Sequence, residues 1–125
     1  MASIIEQNNL ADLVKYEEDC LNYSRENITV ASGQNLAIGT VLGRNTVDGK
    51  VHALDPAATD GTETAIGFLI ETVDATLIDR NSLLLARHGI VASKAVVWPV
   101  GITAPQKLAA IAQLDSLGIL VRQSA

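Results

Sequence analysis

The stretch LDPAATDGTETAIGFL, residues 54–69, places a cluster of polar turn residues directly before an apolar run. Its oxygen-bearing side chains, which give it the appearance of an acidic metal site, are Asp55, Thr59, Asp60, Thr62 and Glu63. A calcium-binding loop spaces its oxygen ligands at alternating positions and ends in a bidentate Glu, and this stretch does not. Asp-Gly is a turn dipeptide, because Asp bonds nearby N–H groups and Gly accepts positive φ. We therefore predict that Asp60 and Gly61 form a structural turn and not a metal site.

Short apolar runs separated by turn residues extend outward on both sides of this stretch. Residues 28–43 read ITVASGQNLAIGTVLG, and Asp48-Gly49 then lies between two valines, which is a strong hairpin signal. Beyond residue 64 the runs AIGFLIETV, SLLLARHG and IVASKAVVWPV follow at close spacing. Strands of this length and spacing are typical of an all-β or β-rich fold.

One helix is predicted near the end of the chain. Thr103 and Gln106 fit a capping box, in which each side chain bonds a backbone N–H of the first turn. Pro105 is tolerated in that turn because its missing N–H has no helical partner there. Gly118 predicts a left-handed stop, followed by a last short strand. The residues predicted to line one face of the helix are Leu108, Ile111, Leu114 and Leu117.

Residues 1–27 differ from the rest, since they contain neither glycine nor proline and are acidic. The segment LADLVKYEEDCL, residues 10–21, fits a short helix with Leu10, Leu13, Val14 and Leu21 on one side, or an arm lying on another surface. Both interpretations stay open. The predicted fold class is a β-rich α+β domain of short strands with one C-terminal helix. Its body spans residues 28–125, and residues 1–27 precede it as an N-terminal arm that is flexible when free.

Composition restricts the partners and the compartment. The net charge of −5, with nine basic residues spread singly, argues against nucleic acid binding. No apolar run approaches the roughly 18 residues that span a bilayer, so no membrane partner is expected. The only cysteine, Cys20, forms no intrachain disulfide, and the first residues lack a secretory signal pattern, which favours synthesis in a cytoplasm. Charged residues make up 18%, against roughly 25% in typical soluble domains, which favours a surface partly covered by a partner or by copies of the chain.

No residue pattern predicts catalysis, a metal or a cofactor. His52 and His88 lie far apart and outside any HxxxH pair, and no GxSxG or phosphate-binding glycine motif occurs. One rival interpretation is a lipoyl- or biotin-carrier hairpin modified at Lys50. Those domains resemble one another in having a carboxylate or methionine before the modified lysine, where this chain has Gly49. A β-barrel interaction module unrelated to these classes is the other alternative.

The order of several segments resembles that of the lambda-like bacteriophage head decoration proteins. The matching segments are SRENITVASGQ at 24–34, LDPAATDGTETAIGFLIETVDAT at 54–76 and VVWPV at 96–100, followed by the helix and the final strand. The resemblance covers residues 24–125. It implies a structural protein without catalysis or cofactor, which forms a homotrimer on local three-fold sites of the expanded capsid and stabilises the major capsid protein lattice. Its place would be the outer capsid surface of the virion.

The resemblance also implies roles for particular residues. In the family the N-terminal arm joins a strand of the capsid protein, and that role falls here on Ser24, Arg25, Glu26, Ile28 and Val30. The alternation of polar and apolar residues in ENITV fits a strand that adds to an edge. Trp98 and Pro99 are expected either in the core or at the trimer contact.

Overall fold

The computed structural model describes residues 13–17 and 24–123, and within them it is a β-rich domain with one long helix. This confirms the predicted fold class. The strands are β1 (Val14–Glu17), β2 (Arg25–Val30), β3 (Gln34–Leu36), β4 (Val41–Arg44), β5 (Val51–Ala53), β6 (Gly67–Leu69), β7 (Val73–Ala75), β8 (Arg80–Leu85), β9 (Gly89–Ala92) and β10 (Ile119–Arg122). A 3-10 turn covers Ser93–Ala95, and the helix, α1, covers Ala104–Ser116.

Five strands close into a barrel in the order β2-β5-β4-β6-β8. The longest ladder is antiparallel and joins β2 to β8, from Arg25 opposite Leu85 to Val30 opposite Arg80. The β4–β5 pair is the hairpin predicted from Asp48-Gly49, with Gly49 at φ 72°. Because a closed barrel has no free edge, each barrel strand has neighbours on both sides.

The barrel interior is filled by aliphatic side chains at alternating strand positions. In β2, Ile28 and Val30 point inward, and in β4 Leu42 does so. The buried members of this interior cluster are Ile28, Val30, Leu42, Val51, Leu69, Val73, Ala75, Leu84 and Ala86. The lack of aromatic residues in this cluster follows from the composition, since Ala, Val, Leu and Ile are the apolar residues that the chain supplies.

A second core lies between the outer face of the barrel, α1 and a three-stranded sheet ordered β1-β9-β10. Phe68 and Leu85 enter it from the barrel, and Leu114 enters it from the helix. The capping box of Thr103 and Gln106 is present, and Gly118 ends the helix at φ 81°, as predicted.

The predicted buried face of α1 is only partly right. Leu114 and Ala110 are buried, whereas Leu108 is 68% exposed. Each step of three residues turns a side chain by about 300°, a drift of roughly 60° from the preceding member. Residues 108 and 114 therefore point about 120° apart, and one core cannot cover both.

Residues 13–17 of the N-terminal region belong to the folded body. Val14–Glu17 form β1, which pairs antiparallel with β9, so the helix prediction is wrong for these residues. Leu13 is fully buried against the second core, and this burial holds the segment in place. Leu10 and Leu21 of the predicted helix lie outside the described residues. No helix in the described ranges is long and apolar enough to cross a membrane.

Candidate functional site

The residues expected to act as a capsid-binding arm lie at the start of the barrel. Ser24 is fully buried, and Ile28 and Val30 belong to the barrel interior. The backbone of Arg25–Val30 pairs with β8 along its whole length, and Val30 also reaches β5. β8 therefore occupies one edge of β2 along its whole length, and β5 reaches the other edge at Val30.

A half-buried ion pair ties β1 to the start of β2. Arg25 donates from Nε to Glu17 Oε2 and from Nη2 to Glu17 Oε1, both at 2.8 Å. The Ser24 hydroxyl donates to the same Oε2, also at 2.8 Å. The Arg25 hydrogen bonds lower the pKa of the Glu17 carboxyl, with a smaller contribution from Ser24, against the opposing effect of burial. The contact holds Glu17 of β1 beside the first residues of β2.

A second group of charges lies at one end of the barrel. Glu26 and Arg44 continue the inward alternation of Ile28 and Leu42, beyond the apolar interior. Arg87 donates to Glu26 Oε2, and Arg44 Nη2 lies 3.8 Å from Glu26 Oε1. We call Glu26, Arg44 and Arg87 the barrel mouth. Sequence reasoning missed this group, because its members are 18 and 43 positions apart and form no motif.

Arg44 is the incompletely paired member of the barrel mouth. Its Nε is buried and has no hydrogen-bond partner. Its described charge contact, to Glu26, is longer than a hydrogen bond. Buried polar groups are almost always hydrogen-bonded, so an unpaired guanidinium N–H needs a physical explanation.

The Asp60–Gly61 loop has the geometry of a turn. Asp60 Oδ1 accepts from the Thr62 backbone N–H at 3.0 Å and from the Thr62 hydroxyl at 2.6 Å. These bonds lower the pKa of the Asp60 carboxyl, the hydroxyl contributing most. Gly61 has φ 105°, and Glu63 Oε1 accepts from its N–H at 2.8 Å. The carboxylates of the loop thus receive protein donors.

The remaining polar residues do not form a common centre. Lys50, at the β4–β5 turn, pairs with Asp79 at 2.7 Å, and this contact raises the pKa of the Lys50 ammonium. Asp79 also accepts from the Ser32 backbone N–H, so Lys50 takes part in a contact between loops. His52 lies in β5 and His88 precedes β9. Among residues 13–17 and 24–123, no three His, Cys, Asp or Glu side chains converge on a metal position.

Three exposed apolar side chains lie in the segment that leads into α1 and in its first turns. Val97, Val100 and Leu108 are exposed, and all three lie within residues 97–108, which we call the apolar segment. Trp98 and Pro99 are half-buried in it, and Trp98 packs against the second core. Lys107 Nζ lies 6.0 Å from the centroid of the Trp98 ring, at the outer limit of a cation–π contact. Exposed apolar side chains are typical of an interaction surface when they form one contiguous patch.

The family assignment comes from a comparison of the whole chain with family models. Residues 3–119 match the model of bacteriophage lambda head decoration protein D. The chain belongs to this head decoration family. A search of curated proteins found no match.

Family membership decides between the function classes left open by the sequence. A head decoration protein is a structural capsid protein and not an enzyme, and it sits on the surface of the phage head. The resemblance seen in residues 24–125 is thereby confirmed, and the match begins earlier, at residue 3. The rival interpretations, a carrier domain modified at Lys50 and an unrelated barrel module, are set aside for this decoration protein.

Proposed function

We propose that this decoration protein forms a homotrimer on local three-fold sites of the expanded phage head and stabilises the lattice of the major capsid protein. The family match over residues 3–119 carries the proposal, because a head decoration protein must bind the capsid. The low content of charged residues, 18%, supports a surface that is largely covered in the assembled state.

The apolar segment is the surface we assign to contacts between subunits. Val100 and Leu108 are exposed in the single chain, and burial of apolar surface gains about 25 cal/mol per Å². Trp98 and Pro99 would then contribute both to the core and to the trimer contact. Their inner atoms would pack against the second core, and their outer atoms against a neighbouring subunit.

Light scattering on a size-exclusion column tests the trimer. We expect about three times the 13.2 kDa chain mass at micromolar concentration. Val100→Asp should lower this mass, because a carboxylate would be desolvated in the contact. Val47→Asp is the matched control, since Val47 is equally exposed but lies in the β4–β5 loop. A monomeric wild-type protein, or equal masses for the two variants, would remove the assignment.

The proposed docking arm is shorter than residues 1–27. Ile28 and Val30 are buried in the barrel, and Ser24 and Arg25 hold Glu17 of β1. We therefore assign the arm to residues 1–12, which lie outside the described residues. The residues first expected to bind the capsid then act indirectly, because they belong to the body to which the arm is attached. They are Ser24, Arg25, Glu26, Ile28 and Val30.

Two deletions separate the arm from the body. Removal of residues 1–12 should leave a folded protein that binds heads less well. Removal of residues 1–27 deletes β1 and the first three residues of β2, so the barrel should not fold. A folded, head-binding protein after the longer deletion would contradict this assignment.

Sedimentation with undecorated, expanded heads tests capsid binding. We expect the amount of wild-type protein in the pellet to rise with concentration and to saturate, and heads carrying it should resist heat longer than bare heads. Protein that stays in the supernatant at all concentrations would refute the proposal.

A further inference from the structure

We infer that the outer face of the three-stranded sheet β1-β9-β10 is a capsid contact of the folded body, and that it takes an apolar side chain of the capsid protein. The inference rests on the capsid binding proposed above, but it concerns the body and not the arm of residues 1–12. Its starting point is a row of three side chains that lie opposite one another on adjacent strands: Tyr16, Ile90 and Leu120.

This row lies on the face of the sheet that points away from the second core. Paired residues of neighbouring strands project to the same face, and the next residue along each strand projects to the other. Val91 and Ile119, which adjoin Ile90 and Leu120, are fully buried in the second core. Tyr16 is 55% exposed, and Ile90 and Leu120 are half-buried. The face opposite the core is therefore apolar, and it is accessible at Tyr16.

A β-bulge in β1 turns Tyr16 onto this outer face. Val14 pairs with Val91 and packs against the second core, so in a regular strand Tyr16, two positions later, would face the core as well. The register shift between Val14 and Tyr16 reverses the alternation, and Tyr16 pairs with Ile90. Bulges that re-aim a side chain are common beside functional sites. This bulge exposes an aromatic ring that a regular strand would have directed into the core.

The row also borders a surface pocket of about 290 Å³. Gly118 lets the His88 ring pack closely at this pocket, because an added Cβ would lie 2.4 Å from His88 Cδ2. His88 itself has φ 55°, which is uncommon for a residue with a side chain. Residues held in such conformations are frequent at ligand-binding positions. The residues that line the pocket are Tyr16, His88, Gly89, Ile90, Gly118 and Leu120.

The place of the pocket beside the arm selects the capsid protein as its occupant. The arm joins the body at Leu13, three residues or about 10 Å of strand before Tyr16. A capsid surface that binds the arm therefore lies next to this end of the row. Leu120, at the other end, is two strand spacings or about 10 Å away, on the strand that packs against α1. Ile90, Leu120 and the ring of Tyr16 supply apolar walls, which favours an apolar side chain as the group bound.

Contacts on both sides hold Tyr16 in place before binding. Its backbone pairs with Ile90, and the next residue, Glu17, receives two hydrogen bonds of 2.8 Å from Arg25. A side chain that is presented by a fixed strand has less freedom to lose on binding than one on a mobile segment. Tyr16 is therefore suited to act as an anchor of the contact.

Sedimentation with undecorated, expanded heads tests the inference on variants of the full chain. Tyr16→Ala should weaken binding about 10-fold or more, because the aromatic anchor is removed. Tyr16→Phe should bind like wild type, since it keeps the ring. Leu77→Ala is the matched control, because Leu77 is 89% exposed but lies between β7 and β8, and its truncation should leave binding unchanged.

Hydroxyl-radical labelling of the wild-type protein covers the case in which a variant misfolds. Read residue by residue by mass spectrometry, the label should appear on Tyr16 in free protein and be blocked there on heads. Leu77 should be labelled in both states and serves as the internal control.

The outcomes separate this inference from the proposed function. Equal binding of wild type and Tyr16→Ala, equal labelling of Tyr16 on and off heads, or equal losses for Tyr16→Ala and Leu77→Ala overturn the inference while capsid binding stands. A lower oligomer mass for Tyr16→Ala in light scattering overturns it too, because the occupant would then be a second copy of the chain. Absence of wild-type binding to heads removes both.

Discussion

Gly61 offers the sharpest test of how the barrel is supported, because it combines an unusual backbone conformation with a close contact. The substitution is Gly61→Ala. At φ 105° any L-residue is disfavoured, and the new Cβ would lie 2.5 Å from Arg44 O and 2.6 Å from Thr46 Cγ2. Gly33→Ala is the matched control, since Gly33 has φ 93° and an added Cβ would meet no atom within 4 Å.

Both substitutions strain the backbone, but only Gly61→Ala also creates a steric overlap. Backbone strain costs about 1–3 kcal/mol at either position. Overpacking against the β4 backbone adds about 1–3 kcal/mol for Gly61→Ala alone. The expected difference is therefore about 1–3 kcal/mol, or roughly 4–12 °C in Tm for a chain of this size.

Urea denaturation, monitored by far-UV circular dichroism, measures the difference in unfolding free energy between the two variants. Protein concentrations must be equal, because assembly adds to stability. The denaturation midpoint of Gly61→Ala should fall below that of Gly33→Ala without a change in slope. Equal midpoints would show that the turn moves away freely and does not support Arg44.

Three further predictions follow from contacts described above. Glu17→Gln should lower stability at pH 7. Because the pKa of Glu17 is depressed, its contribution is present above the ordinary glutamate range and lost as pH falls through the lowered pKa, so the gap to wild type in urea melts should close in acid. Leu114→Ala should lower the free energy of unfolding by about 2–5 kcal/mol, because Leu114 is fully buried. Leu108→Ala, at an exposed site on the same helix, should change subunit stability by less than about 0.5 kcal/mol. Urea melts that resolve dissociation from unfolding measure both. Native protein should have its sequence mass by intact mass spectrometry, since Gly49 stands where carrier domains have a carboxylate or methionine before the modified lysine; added lipoyl or biotinyl mass on Lys50 would contradict this.

The features that sequence predicted well are local. The Asp60–Gly61 turn, the β4–β5 hairpin and the capping box of Thr103 each depend on residues a few positions apart. Their side-chain chemistry is therefore visible in a short window.

The features that sequence missed depend on distant partners. The residues of β1 carry no turn signal, and their strand conformation comes from pairing with β9, more than 70 positions later. The alternation in β2 was read correctly as a strand, but the same pattern fits a strand in a barrel and a strand that adds to a partner. Only the ladder to β8 distinguishes the two. The sequence around Arg44 gives no signal of its environment, because its unpaired Nε and its contact with Glu26 depend on how distant strands pack together.

The β2–β8 ladder has a consequence for the order of events during synthesis. Arg25 pairs with Leu85, which is translated 60 positions later, so at about 5–20 residues per second β2 waits roughly 3–12 s for its partner. During that interval Ile28 and Val30 are exposed in a segment of high β-propensity. The charges of Arg25 and Glu26 flank this segment, as charged residues do where a nascent strand must not pair with a neighbouring chain. Barrel closure then has to join sequence-distant strands, which places its folding among the slower, millisecond-to-second reactions of β proteins.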